Sequence, residues 1–224
     1  MQSATNKACW WSSTIGRKQL IGLTGLGLSL FVLVHMLENI LILIGPKVYN
    51  NYANFLTSNP LIYVAEAGLL AIFLGHVILA LRITLQNFAA RDTRYALRAS
   101  GPKRTSAAQR SLWIQGLLIL VFLVLHLISF KFGPEYSVDY GQGPIRDLHK
   151  LVIEDFHDPL FVGWYIFALL VLGVHLSHGI GSVFQTLGLH HPRYQGLIRA
   201  FSVTYAVLVT LGFIVQPLYV YFLS

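Results

Sequence analysis

The chain has 224 residues, 55% of them hydrophobic and only 11% charged, with a mean hydropathy of +0.62. A soluble domain of this length carries about a quarter charged residues, so most of this chain must face lipid or other apolar helices, which leaves no length for a separate soluble catalytic domain. The net charge of +7 does not point to nucleic acid, because the basic residues flank apolar runs, as they do in membrane proteins.

The N-terminal stretch MQSATNKACWWSSTIGRKQ lacks the basic, apolar and cleavage regions of a secretory signal. Its Cys9, the one cysteine, excludes an intrachain disulfide and a multi-cysteine iron–sulfur site, and reads as a free thiol. A membrane span needs about 20 mainly apolar residues to cross a core of roughly 30 Å. Five segments qualify, at approximately 19–44, 61–83, 111–130, 160–187 and 200–222. Each must be helical, because lipid offers the backbone no hydrogen-bond partners. The expected fold class is therefore all-α, a five-helix membrane bundle forming one domain over residues 1–224.

The connections carry the turn and charge signals. GPKVYNNYANFLTSNP, RDTRYALRASGPKRTSAAQR, the acidic and aromatic KFGPEYSVDYGQGPIRDLHKLVIEDFHDP and GLHHPRYQG read as turn-rich stretches. Within the long third connection, RDLHKLVIEDF reads as a small interfacial helix. Lys7, Arg17, Lys18, Arg82, Arg91, Arg94, Arg98, Lys103, Arg104, Arg110, Arg193 and Arg199 fall on one side; Lys47, Lys131, Arg146 and Lys150 fall on the other. The positive-inside rule then puts the N-terminus in the cytoplasm and the C-terminus outside. The expected location is the bacterial cytoplasmic membrane, with lipid around every span.

Histidines carry the chemistry. His35, His76, His126, His175 and His178 lie within spans, where ionisable residues are costly and mark function. The first four each lie 16 or 17 residues beyond a marker at the start of their span: Lys18, Pro60, Arg110 and Pro159. At 1.5 Å per residue, each sits roughly 24–26 Å along its helix. Successive spans run in opposite directions, so equal offsets build two tiers. His35 and His126 form the outer tier, His76 and His175 the inner one. Two imidazoles from facing helices are what a b-type haem iron needs, so two haem b groups between the first four spans are expected. His178, one turn beyond His175, reads as a group beside the inner haem rather than a ligand. His149, His157, His190 and His191 lie in connections. Glycines at 22, 25, 27, 75, 179 and 181 read as close-approach positions, for helix packing or a flat macrocycle.

Glu38, Asn39 and Glu66 lie in the outer part of the bilayer. A quinone needs hydrogen-bond partners and a proton path, and a buried carboxyl is a suitable proton acceptor. Glu38 and Glu66 are candidate proton groups and Asn39 a candidate quinone contact; interfacial solvation is the competing reading for the carboxyls. Gln216 and Pro217 read as a kink near the end of the fifth span.

HMLENILILIG, GHVILALRITLQNF, LVLHLISF and HLSHGIGSVFQTLG, in this order on four of the five spans, closely resemble the cytochrome b subunit of succinate dehydrogenase and fumarate reductase. The resemblance is to the single-subunit, five-helix, di-haem type. It implies a membrane anchor for a flavoprotein subunit with FAD and an iron–sulfur subunit on the cytoplasmic face, with menaquinone as substrate and a dimer of heterotrimers as the assembly. The family's axial ligands fall on His35, His76, His126 and His175. Some members use a glutamate two residues before the fourth-helix ligand for proton transfer; here that position is Gly173. Some place a quinone-site glutamate in the first outer loop, and GPKVYNNYANFLTSNP has none. Competing expectations are another di-haem cytochrome b, of the b561 type or a hydrogenase or formate dehydrogenase anchor, and a proton-coupled transporter using the same His and Glu residues.

Overall fold

The structure is a computed structural model and describes residues 13–90, 110–189 and 191–223. Cys9, Lys7, His190 and the basic residues Arg91, Arg94, Arg98, Lys103 and Arg104 lie outside the described residues. Helix α1 spans Thr14–Asn39 and continues as a 3₁₀ turn over Ile40–Leu43; α2 spans Pro46–Thr57, α3 Leu61–Ala89 and α4 Leu112–His126. A π turn over Leu127–Lys131 extends α4. A short antiparallel hairpin follows, β1 Ser137–Asp139 against β2 Pro144–Arg146. Then come α5 Leu148–Phe156, α6 Pro159–Thr186 and α7 Pro192–Leu223.

Five of these helices are long and apolar enough to cross a membrane: α1 with its 3₁₀ turn, α3, α4 with its π turn, α6 and α7. Their surfaces are inverted relative to a soluble protein. On α3, Leu70, Leu74, Ile78, Leu81 and Leu85 form an exposed apolar stripe. Water would penalise that stripe by about 25 cal/mol per Å², whereas lipid tails solvate it. The chain is a multi-pass helical membrane protein.

Three of the connections differ from the turn-rich expectation, one of them because α7 starts at Pro192, within GLHHPRYQG, where a proline at the first helical position costs no hydrogen bond. Residues 46–57 form helix α2 because Gly45 takes φ +136°, a conformation that suits glycine, and Pro46 then starts the helix at the position where its missing N–H costs nothing. Proline and asparagine in this stretch thus mark a helix start and a buried contact rather than a loop. Asn50 is fully buried: its amide donates to Asp147 Oδ1 at 2.7 Å and Tyr140 Oη at 3.1 Å, and its carbonyl accepts from the His149 N–H at 2.8 Å. The hairpin is the third difference, a small departure from all-α. Asp139 closes its turn by accepting from Gly141 N and Gly143 N, with both glycines at positive φ. The expected interfacial helix is present as α5, capped by Asp147 accepting from Lys150 N at 3.0 Å.

Together α2, the hairpin and α5 cover one end of the bundle, hereafter the capped end. The other end carries Arg17, Lys18, Arg82, Arg110, Arg193 and Arg199 and is hereafter the basic end. A core of Ile42, Tyr49, Val152, Phe156, Val162, Tyr165 and Val220 joins the cap to the helices. A second core, Met36, Leu176, Ala206 and Val209, locks α7 against α1 and α6. Gly212 faces Met36 so closely that a Cβ would overlap the thioether sulfur. Helix α7 runs through Pro217, and Gln216 donates back to the Gly212 carbonyl at 2.9 Å and reaches the Met36 carbonyl at 3.5 Å. Gln216 therefore ties α7 to α1.

Candidate functional site

Packing of α1 against α3 and α6, and of α4 against α6, brings the four span histidines together in two pairs. His35 of α1 meets His126 of α4, with ring centroids 5.9 Å apart and planes at 87°. His76 of α3 meets His175 of α6 at 6.5 Å and 76°. The first pair lies toward the capped end and the second toward the basic end, the two tiers that the residue offsets imply.

Aromatic rings fix the capped-end pair. Phe31 stacks on His35 at 5.4 Å and Phe213 of α7 lies 5.9 Å away; Phe122 and Phe130 flank His126 at 5.8 and 5.4 Å. Immediately after His126 the π turn begins, closed by Phe132 N donating to the Leu127 carbonyl at 2.9 Å. Such turns recur at functional positions because they widen the helix locally. Arg146 of the hairpin donates to the Phe130 carbonyl at 2.9 Å.

Hydrogen bonds then distinguish the rings. His76 Nδ1 lies 3.1 Å from Thr24 Oγ1 on α1, and His126 Nδ1 lies 3.1 Å from Tyr165 Oη on α6. His35 contacts the Asn39 amide at 3.3 Å, while that amide donates to the His35 carbonyl at 2.8 Å. His175 Nδ1 is buried with no partner among the described residues. Gly25 presses on His76: a Cβ there would lie 3.2 Å from Cε1. At Gly75 and Gly179 an added Cβ would meet nothing within 4 Å, so the backbone beside His76 and beside His178 borders open space.

These pairs fit a bis-imidazole iron porphyrin. His35 with His126, and His76 with His175, would supply the two imidazoles that hold such a group at each level. A protein-built zinc site recruits three or four donors, whereas a porphyrin brings its own equatorial nitrogens and needs two axial ones. Among the described residues no three His, Cys, Asp or Glu side chains gather as a metal-holding group; each tier brings two imidazoles together.

The other candidates are distributed as follows. His178 is half-buried one turn from His175. Glu38 accepts from the Tyr52 hydroxyl at 3.1 Å, and Asn39 Oδ1 accepts from the Tyr49 hydroxyl at 2.9 Å. Burial, with the Glu38 charge second, pushes the Tyr49 phenol above its ordinary value, so it stays a donor at neutral pH. Glu66 is exposed and forms an ion pair with Lys131 at the end of the π turn. His149 lies with its ring centre 6.1 Å from that of Tyr49, and burial lowers its pKa while Asp147 opposes the shift. His157 Nδ1 reaches the Ile153 carbonyl at 2.7 Å, and His191 Nδ1 accepts from Arg193 N at 3.2 Å, both local to their connections.

Gly173 is a packing position. It meets Thr210 of α7 so closely that a Cβ would overlap the threonine hydroxyl. Thr24, Tyr165, Tyr49 and Tyr52 are site residues that histidine spacing does not indicate, because each serves a residue of another element or a distant turn. Scans against family models, curated proteins and solved structures returned no match to this chain.

Proposed function

We propose that this chain is a di-haem cytochrome b of the membrane, anchoring a succinate dehydrogenase or fumarate reductase. In this reading it carries electrons between menaquinone in the lipid and an iron–sulfur and FAD-bearing partner at the basic, cytoplasmic end. The observation that carries the proposal is the pair of facing imidazole couples, one above the other inside an apolar bundle. His35 with His126, and His76 with His175, would hold the two groups, and b haem supplies a reversible one-electron carrier at each depth when bound.

The chain's own residues do the rest. The aromatic collar of Phe31, Phe122, Phe130 and Phe213 surrounds the capped-end tier with apolar rings. Glu38, Asn39, Tyr49 and Tyr52 form a hydrogen-bonded group one turn beyond His35, suited to two quinone carbonyl oxygens and a proton. Glu38 is the better proton group of the two glutamates, because Lys131 already neutralises Glu66. With Gly173 against Thr210, α6 offers no carboxyl at that level.

The purified chain, expressed with ample haem supply, should show two haems by pyridine haemochrome assay and a b-type reduced-minus-oxidised band. A colourless protein rejects this reading and leaves proton-coupled transport. Co-purification of a flavinylated large subunit separates the dehydrogenase anchor from other di-haem cytochromes. Glu38→Gln should lower quinol-driven turnover of the complex by about 10²-fold with both haems retained, the scale of general acid–base catalysis, whereas Glu66→Gln should have little effect. Equal losses in both variants would remove the distinction.

A further inference from the structure

Helices α1 and α6 each reach both tiers. Thr24 and His35 are eleven residues apart on α1, and Tyr165 and His175 ten apart on α6. At 1.5 Å per residue that is about 15–17 Å, the rise from one tier to the other. So α1 contributes a ring to the capped-end tier and a hydroxyl to His76 of the other, while α6 contributes a ring to the basic-end tier and a hydroxyl to His126 of the other. The rings brought by α3 and α4 are therefore the ones gripped from a neighbouring helix.

We propose that Thr24 and Tyr165 are positioning residues, one per tier, whose hydroxyl oxygens accept the Nδ1–H of His76 and His126 and so present Nε2 of each ring to iron. This rests on the di-haem reading above. The direction of the bond follows from the threonine. Its single hydroxyl hydrogen has the Leu20 carbonyl at 2.8 Å and the Ile21 carbonyl at 3.1 Å as acceptors, which leaves the oxygen lone pairs to take the His76 Nδ1–H. The proton then sits on Nδ1 and the lone pair on Nε2. Gly25 presses on the Nδ1–Cε1 edge of the same ring, so α1 sets both its proton and its tilt. Tyr165 is held by Phe122, Phe130, Phe156 and Phe161, with ring centres 4.7–6.0 Å away, so its hydroxyl has little freedom to leave His126. An acceptor on Nδ1–H makes the ligating nitrogen more basic, which favours ferric iron.

The test is potentiometric titration of both haems, with pyridine haemochrome content, in the purified wild-type chain, Thr24→Val, Thr24→Ser and Tyr165→Phe. Thr24→Val keeps the side-chain volume and removes the hydroxyl, leaving the Ile21 carbonyl in place. It should raise the midpoint potential of one haem and weaken that haem's retention 10–100-fold, the usual cost of losing such a partner, while the other haem stays unchanged. Tyr165→Phe should do the same to the other haem, and Thr24→Ser should restore wild-type values. If Thr24→Val does not accumulate, Thr24→Ala makes the comparison with less volume. Unchanged potentials and retention in the hydroxyl-free variants overturn the inference, as does a shift of both haems together or a Thr24→Ser protein as altered as Thr24→Val. A wild-type chain with no haem instead rejects the parent reading, before any variant is compared.

Discussion

Replacing both members of one imidazole pair should leave one haem per chain, and replacing one member of each pair should leave none. His35→Ala/His126→Ala and His76→Ala/His175→Ala are thus expected to bind one haem each by pyridine haemochrome assay. His35→Ala/His76→Ala and His126→Ala/His175→Ala are expected to bind none. The four single variants should fall into two spectral classes rather than four, because loss of either ligand of an iron empties the same tier. The physical basis is the facing of the rings, with centres 5.9 Å apart for His35 and His126 and 6.5 Å for His76 and His175, so that each pair would hold one haem. His178→Ala should keep both haems. One haem surviving in His35→Ala/His76→Ala would show that the pairing is wrong, and two haems surviving in His175→Ala would move the ligand role to His178.

The pairing was legible in the sequence for a simple reason. A helix rises by a constant amount per residue, so counting from the start of each span converts directly into depth, and alternating direction sorts the four histidines into two levels. Rotation about each helix axis, and the choice of neighbours, cannot be counted in this way. Thr24 lies against His76 only because α1 packs on α3, and Tyr165 serves His126 only because α6 packs on α4. The cap failed for a different reason. Pro46, Asn50 and Asn51 are strong turn signals, yet Gly45 places Pro46 where a helix accepts it, and Asn50 spends its polarity on Asp147, Tyr140 and the His149 N–H. The π turn after His126 and the Asp139-closed hairpin likewise leave no hydrophobic period to read. Glu66 looked equivalent to Glu38 until the end of α4 brought Lys131 beside it.

Gly173 shows how one position can exchange chemistry for packing, and this leads to the second large expected effect. The buried Thr210 hydroxyl occupies the space a side chain at 173 would need. Forcing even one methyl group into a filled core costs about 1–3 kcal/mol, so Gly173→Ala should lower the thermal midpoint of the haem-loaded chain in detergent by that equivalent. Gly173→Glu adds a larger side chain and a desolvated carboxyl, and should fail to accumulate as folded protein. Removing the obstructing group should reverse the smaller defect. In Gly173→Ala/Thr210→Gly the new methyl takes the vacated volume, and a double-mutant cycle should give a favourable coupling of about 1 kcal/mol or more. If Gly173→Ala alone is as stable as the parent, α6 and α7 are not in contact at this level. The position could then accept a glutamate, and the absence of a carboxyl there would have no steric cause. A favourable coupling instead ties the absence of a carboxyl here to the seam between α6 and α7, because a closely packed glycine leaves a carboxyl no volume between the two tiers.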